Sequence, residues 1–221
     1  MFEGDKTELS VLKNYALSQD NLLEEVVDVS ELGDCYVSLG QFELAQECYD
    51  RAAVMDPDNA DPYVGIGMIA LQNGRLAESI NAFKVAKRLD ENCAKADCGL
   101  GIAYQQSGQF SSAFDHFLKC LKLDTDNLTA LLGLFQTSCL MGSFSKVIHY
   151  LEVYLDMHAG DTSVMFCLAT LYMKDSSLFQ SKKILLEILR IDPENKDSAN
   201  LLEEVEYLIA QNKAANEINH G

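Results

Sequence analysis

Basic side chains are scarce: 17 lysines and arginines stand against 34 aspartates and glutamates in 221 residues, a formal net charge of −17. A field of that sign repels nucleic acid and anionic membrane surfaces and favours a basic or neutral protein partner. The excess is uneven. Residues 1–60 hold 14 acidic groups against Lys6, Lys13 and Arg51, so −11 of the charge lies there. Long apolar runs are missing as well. No run approaches the roughly 18 apolar residues a membrane-spanning helix needs, so no direct insertion into a membrane is expected. The opening residues, MFEGDKTELS, lack the basic start and apolar centre of a secretory signal. Only Pro57, Pro62 and Pro193 occur as prolines, each at or beside a turn between helical stretches, which suits an almost all-helical chain.

Patterns that carry chemistry are equally thin. The histidines, His116, His149, His158 and His220, form no HExxH and no paired ligand spacing. No serine or threonine sits in a GxSxG elbow. Asp56-Pro57-Asp58 opens like a calcium loop, but the sixth and twelfth places hold Asp61 and Gly67 where glycine and glutamate are required. The seven cysteines, at 35, 48, 93, 98, 120, 139 and 167, make no CxxC and are odd in number. Several lie on apolar stripes, where a free thiol behaves as a small hydrophobe. A reducing compartment, the cytoplasm, is the natural expectation. Cys93 and Cys98 have no second pair to complete a metal site. The stretch from Gly65 to Ala70 formally matches GxGxxA, yet it lies within a helical pattern with no strand before it. The reading is therefore no catalytic residue, no metal, no cofactor, and a protein that is not an enzyme.

What the chain does have is a period. Gly40, Gly74, Gly108 and Gly142 stand 34 residues apart, and Ser176 takes the next place. Gly33, Gly67 and Gly101 keep the same interval, as do Asp56, Asp90, Asp124 and, past His158, Asp192. Residues 94–123 show the content of one period. Leu100, Ala103 and Tyr104 form one apolar stripe at helical spacing, and Ala113, Phe117, Cys120 and Leu121 form another, with Gly108 between them. Neither stripe can be buried alone, so each helix needs its partner and a neighbouring pair.

These residues resemble the tetratricopeptide repeat (TPR) family, whose unit is a 34-residue helix–turn–helix. Leu32, Gly33, Tyr36, Ala45, Tyr49, Ala52 and Pro57 fall at its signature places in the first unit, and Tyr63, Gly67, Phe83 and Ala86 in the second. Leu100, Gly101, Tyr104, Ala113 and Phe117 follow in the third, and Leu168, Ala169, Tyr172 and Pro193 in the fifth. The fourth drifts, with Phe135 and Val147 where two small residues are expected, which predicts a wider gap between its helices. The resemblance implies an all-α fold: a right-handed superhelical solenoid of antiparallel helix pairs, with an extra N-terminal helix and a C-terminal capping helix. Its units run 26–59, 60–93, 94–127, 128–161 and 162–195. Residues 1–25 form an N-terminal helix (about 7–18) and a lead-in, 196–212 the cap, and 213–221 a disordered tail.

The resemblance also implies a concave groove lined by the first helix of each pair. Carried over by register, the candidate peptide-binding residues are Asp34, Asp61, Val64, Met68 and Leu71, then Lys95, Cys98, Ile102 and Gln105. Thr129, Leu132, Gln136, Leu140, Phe166, Thr170 and Met173 complete them. Such a groove is acidic at one end and apolar with glutamines through the middle. It suits an apolar or basic segment of another protein, helical or extended. TPR cochaperones that hold acidic tails use lysine, arginine and asparagine at places occupied here by Ser30, Asp34, Gly65, Lys95 and Gly99, so that partner is not expected. Two further functions stay open at this point: a secretion chaperone resembling the type III translocator chaperones, and a self-assembling scaffold, resembling the magnetosome TPR scaffold, in which the helix at 7–18 docks into a neighbouring copy.

Overall fold

In a computed structural model, which describes residues 29–219, eleven helices and no strand occur among the described residues. They are α1 (Val29–Ser38), α2 (Phe42–Met55), α3 (Asp61–Gln72), α4 (Leu76–Leu89), α5 (Ala94–Gln106) and α6 (Phe110–Leu123). After these come α7 (Leu128–Met141), α8 (Ser145–Met157), α9 (Thr162–Lys174), α10 (Leu178–Ile191) and α11 (Lys196–Asn219). The fold class is all-α, with α1–α10 forming the antiparallel pairs of a helical solenoid. The expected helix at 7–18 and the lead-in after it lie outside the described residues.

The phased glycines make the turns within each pair. Gly40, Gly74, Gly108 and Gly142 have φ of 70°, 71°, 76° and 69°, and Ser176 adopts 62° in the fifth pair. That left-handed backbone costs an L side chain energy but costs glycine none. It lets the residue after the turn donate to a carbonyl five positions back, as in Arg75 N–H to Ala70 O at 2.8 Å and Gln109 N–H to Tyr104 O at 2.9 Å. Asparagine and aspartate restart several of the first helices. Asn127 Oδ1 accepts from Ala130 N–H at 2.9 Å, and Asp161 Oδ1 accepts from Ser163 and Val164 N–H at 3.1 Å each.

The helices form two compact units, the first ending at Glu91 and the second beginning at Asn92, a division the 34-residue period does not announce. In the first unit (α1–α4) the Tyr49 ring is pressed between two glycines: a Cβ added at Gly33 would lie 2.6 Å from it, and one at Gly65 2.4 Å. A Cβ at Gly67 would meet Phe83 at 2.7 Å. Helix packing thus accounts for both glycines of the apparent dinucleotide pattern.

In the second unit (α5–α11) Phe117 occupies the same kind of slot, 2.6 Å from a Cβ on Gly101 and 2.4 Å from one on Gly133. Around it runs a core of Ala113, Leu121, Leu131, Leu134, Val147, Leu151 and Leu168. Met165, Leu185, Ile188, Leu201 and Val205 continue the packing onto α11. Each fully buried large side chain contributes about 1.5–3 kcal/mol, so the unit rests on many such contacts. The α7–α8 pair is the least closely packed of the five, and there Phe135 and Val147 replace smaller residues.

The C-terminal helix departs from expectation. It does not stop near 212 with a disordered tail after it, but runs on to Asn219. Lys213, Ala214, Ala215 and Glu217 are all good helix formers, and no proline or glycine intervenes before Gly221. Among the described residues, no helix is long and apolar enough to cross a membrane.

Candidate functional site

The first helices of the second unit, α5, α7 and α9, repeat one face at intervals of 34 residues. Ile102, Gln136 and Thr170 share one register position, Leu132 and Phe166 a second, and Lys95 and Thr129 a third. Spacings of three and four along each helix bring these positions onto a single side. Lys95, Thr129, Gln136 and Leu140 are exposed, and Ile102, Gln105, Leu132, Phe166, Thr170 and Met173 are half-buried. Leu140 keeps 63% of its surface open to solvent.

Some polar groups on this face are already engaged. Gln105 Nε2 donates to Thr137 Oγ1 at 3.0 Å and to Gly133 O at 3.3 Å, tying α5 to α7. The Thr170 hydroxyl donates to Phe166 O within its own helix at 2.8 Å. Among the described residues the side chains of Gln136 and Thr129 bond no protein group, which leaves them free for an incoming backbone or side chain.

Three residues assigned to the lining by register are not on the open surface. Val64 and Leu71 are 8% exposed and Cys98 is 9% exposed. The physical reason for the first two is that α3 is buried on most of its circumference, with Pro62, Val64, Gly65, Gly67, Ile69, Ala70 and Leu71 all covered. A helix so enclosed leaves only a narrow strip to solvent. Cys98 belongs to the buried apolar cluster of Phe117, Leu121 and Leu131; its Sγ lies 3.8 Å from Asn127 Oδ1, and its thiol is hydrogen-bonded to that of Cys120. That bond, together with burial, pushes the Cys120 thiol far above its ordinary range.

In the first unit Asp34, Asp61 and Met68 remain exposed. Asp34 is not idle, since its Oδ1 accepts the Tyr49 phenol at 2.5 Å. Burial, reinforced by that carboxylate, raises the Tyr49 phenol well above the usual tyrosine range. Asp61 sits in the first turn of α3, where a negative charge complements the helix dipole, and its N–H donates to Asn59 Oδ1 at 2.9 Å.

A pairing absent from the sequence reading joins α5 to α6. Asp97 is fully buried, and its Oδ1 lies 2.8 Å from His116 Nδ1. The imidazole stacks on Tyr104 with ring centroids 5.5 Å apart. The one available signal was an aspartate on an otherwise apolar stretch of α5. Among the described residues no cluster of three or more His, Cys, Asp or Glu is placed to hold a metal ion.

Two family models, both described as tetratricopeptide repeat, match residues 31–94 and 95–127. Solved structures share the fold. YrrB, described as a TPR protein with an unusual peptide-binding site, aligns with a TM-score of 0.64 at 16% identity over 80% of this chain and 94% of its own. The pilF protein of Pseudomonas aeruginosa aligns with a TM-score of 0.66 at 17% identity over 86% of each chain. MamA from Desulfovibrio magneticus RS-1, from residue 41 onward, gives 0.59 at 22% identity over 72% of this chain and 89% of that one. No curated protein sequence matches significantly.

Proposed function

The chain belongs to the tetratricopeptide repeat family, a fold suited to protein–protein interaction, and from that premise we propose a non-enzymatic adaptor that holds an apolar or basic segment of another protein. The observation that carries this is the face of α5, α7 and α9. On these helices Leu140 stands open to solvent and Ile102, Leu132, Phe166 and Met173 are half-buried, with the side chains of Gln136 and Thr129 unengaged. Contiguous apolar surface rimmed by polar groups marks an interaction site. Leucine, methionine and phenylalanine at helical intervals are what the apolar stripe of an amphipathic segment packs against. In the first unit, exposed Asp61 and, two turns along the same helix, exposed Met68 give a face that would accept a basic side chain. The likeness to a fold-mate described with a peptide-binding site is in keeping with this reading. The seven cysteines favour a reducing compartment, and so the cytoplasm.

The test is affinity purification of the tagged chain, with mass spectrometry of what accompanies it, alongside Ile102→Asp and Leu132→Asp. A charge set into this face should remove the partner while circular dichroism stays helical. Undiminished capture by both variants would place the binding surface elsewhere. Light scattering on the full chain, and on one starting at Asp20, separates a partner from a second copy held through the N-terminal residues.

A further inference from the structure

On the other helices of the second unit lies a cavity of about 430 Å³ lined by Leu118, Lys122, Ser145, Lys146, His149 and Tyr150. We propose that this cavity, between α6 and α8, is a second binding site that takes an acidic peptide segment of a partner protein, seating one of its apolar side chains between flanking carboxylates. The lining has two parts. Leu118 and Tyr150 are half-buried and supply an apolar floor, while Lys122, Lys146 and His149 are exposed around it. No acidic side chain lines it, in a chain whose acidic groups outnumber its basic ones twofold. Among the described residues neither lysine makes an ion pair or a hydrogen bond. Glu152, the nearest carboxylate further along α8, is taken by the Tyr172 phenol.

The placement of Lys146 is the most telling feature. It occupies the first turn of α8, which contains no acidic residue, and there the helix dipole disfavours a cation. A local rule broken without an internal compensating partner is expected where a residue serves a ligand. Positive charge at this spot, joined by Lys122 from the end of α6 and by the Ser145 hydroxyl, favours carboxylates from outside. Lys119, the residue after Leu118 on α6, is exposed as well. The volume is at the small end of ligand sites, enough for one side chain and its neighbours. The face on α5, α7 and α9 is apolar and amide-bearing where this site is basic, so an adaptor with both sites would carry two partners of different chemistry.

The experiment uses the full chain and fluorescein-labelled synthetic peptides read by fluorescence anisotropy. The probes are glutamate-rich peptides holding a single Phe, Leu or Tyr, the same peptides with lysine for glutamate, and glutamate peptides with no apolar residue; inorganic phosphate serves as competitor. The acidic apolar peptides should bind, with affinity falling as salt rises. Lys122→Glu combined with Lys146→Glu should weaken binding by about tenfold or more, since like charge replaces attraction. Lys122→Arg with Lys146→Arg should retain it. Failure of every acidic peptide to bind, equal binding by the lysine peptides, or indifference to the charge reversal would each overturn the proposal. Equal binding of glutamate peptides without an apolar residue, or full displacement by millimolar phosphate, would reduce the site to a simple anion contact and overturn it too.

Discussion

His116 Nδ1 lies 2.8 Å from Asp97 Oδ1, and the carboxylate it faces has no exposed surface at all. The pair joins the two helices of the third repeat, with Tyr104 stacked on the imidazole. A buried carboxylate that loses a polar partner pays its desolvation without return. His116→Ala should therefore cost about 1.5–3 kcal/mol of unfolding free energy, measured by urea denaturation. Adding Asp97→Asn to that variant should recover part of the loss, because the stranded charge goes with it. A double variant less stable than His116→Ala alone would show that Asp97 is held by other means.

Phe117 fills the slot between Gly101 and Gly133 so closely that neither can gain a methyl group without displacement. Gly133→Ala should destabilise the second unit by about 1–3 kcal/mol through overpacking. Phe117→Leu, itself destabilising, should relieve part of that cost when combined with Gly133→Ala, giving a coupling energy of opposite sign to the single losses. Additive losses in a double-mutant cycle would mean the ring is not what the methyl strikes.

Ser176 carries φ of 62° at the place where the other four pairs use glycine. Ser176→Gly removes the left-handed cost but gives the unfolded chain more freedom, for a net gain of about 0.5–1 kcal/mol. The reverse change, Gly108→Ser, should lose a similar amount. A lower melting temperature for Ser176→Gly would contradict the strain argument.

Much of this was readable beforehand, because phased glycines and aspartates mark turns that depend on backbone geometry rather than on neighbours. The helices between 42 and 191 begin and end within about one residue of where the period puts them. The slots for Tyr49 and Phe117 were half legible: Gly33 and Gly101 declared themselves, whereas Gly65 and Gly133 press the same rings from the next pair. Val64, Leu71 and Cys98 went astray because register tells which side of a helix a residue occupies, not how much of that side its neighbours cover. The Asp97–His116 pair spans 19 residues with no spacing signature. The break at Glu91 and Asn92 falls inside a stretch whose period is unbroken.

Burial raises the Cys167 thiol from its ordinary 9.0 to about 11, with Cys139 and Asp161 adding to it. The folded state thus holds its proton more tightly than the unfolded chain does. That preference is without effect below pH 9, where both states are protonated. Stability should then fall as the unfolded thiol ionises between pH 9 and 11. Melting temperatures across that window should drop less steeply in Cys167→Ala than in the parent. Equal slopes would show that this thiol titrates alike in both states.

Leu140 is the most exposed large apolar side chain on α5, α7 and α9, so replacing it perturbs the surface and spares the core. The decisive measurement is the affinity of the purified chain for the segment identified by pull-down, by isothermal titration calorimetry, for the parent and for Leu140→Asp. The account predicts binding with a negative heat-capacity change in the parent and a loss of about tenfold or more in the variant, with the melting temperature unchanged. Equal affinity in the two proteins would contradict it.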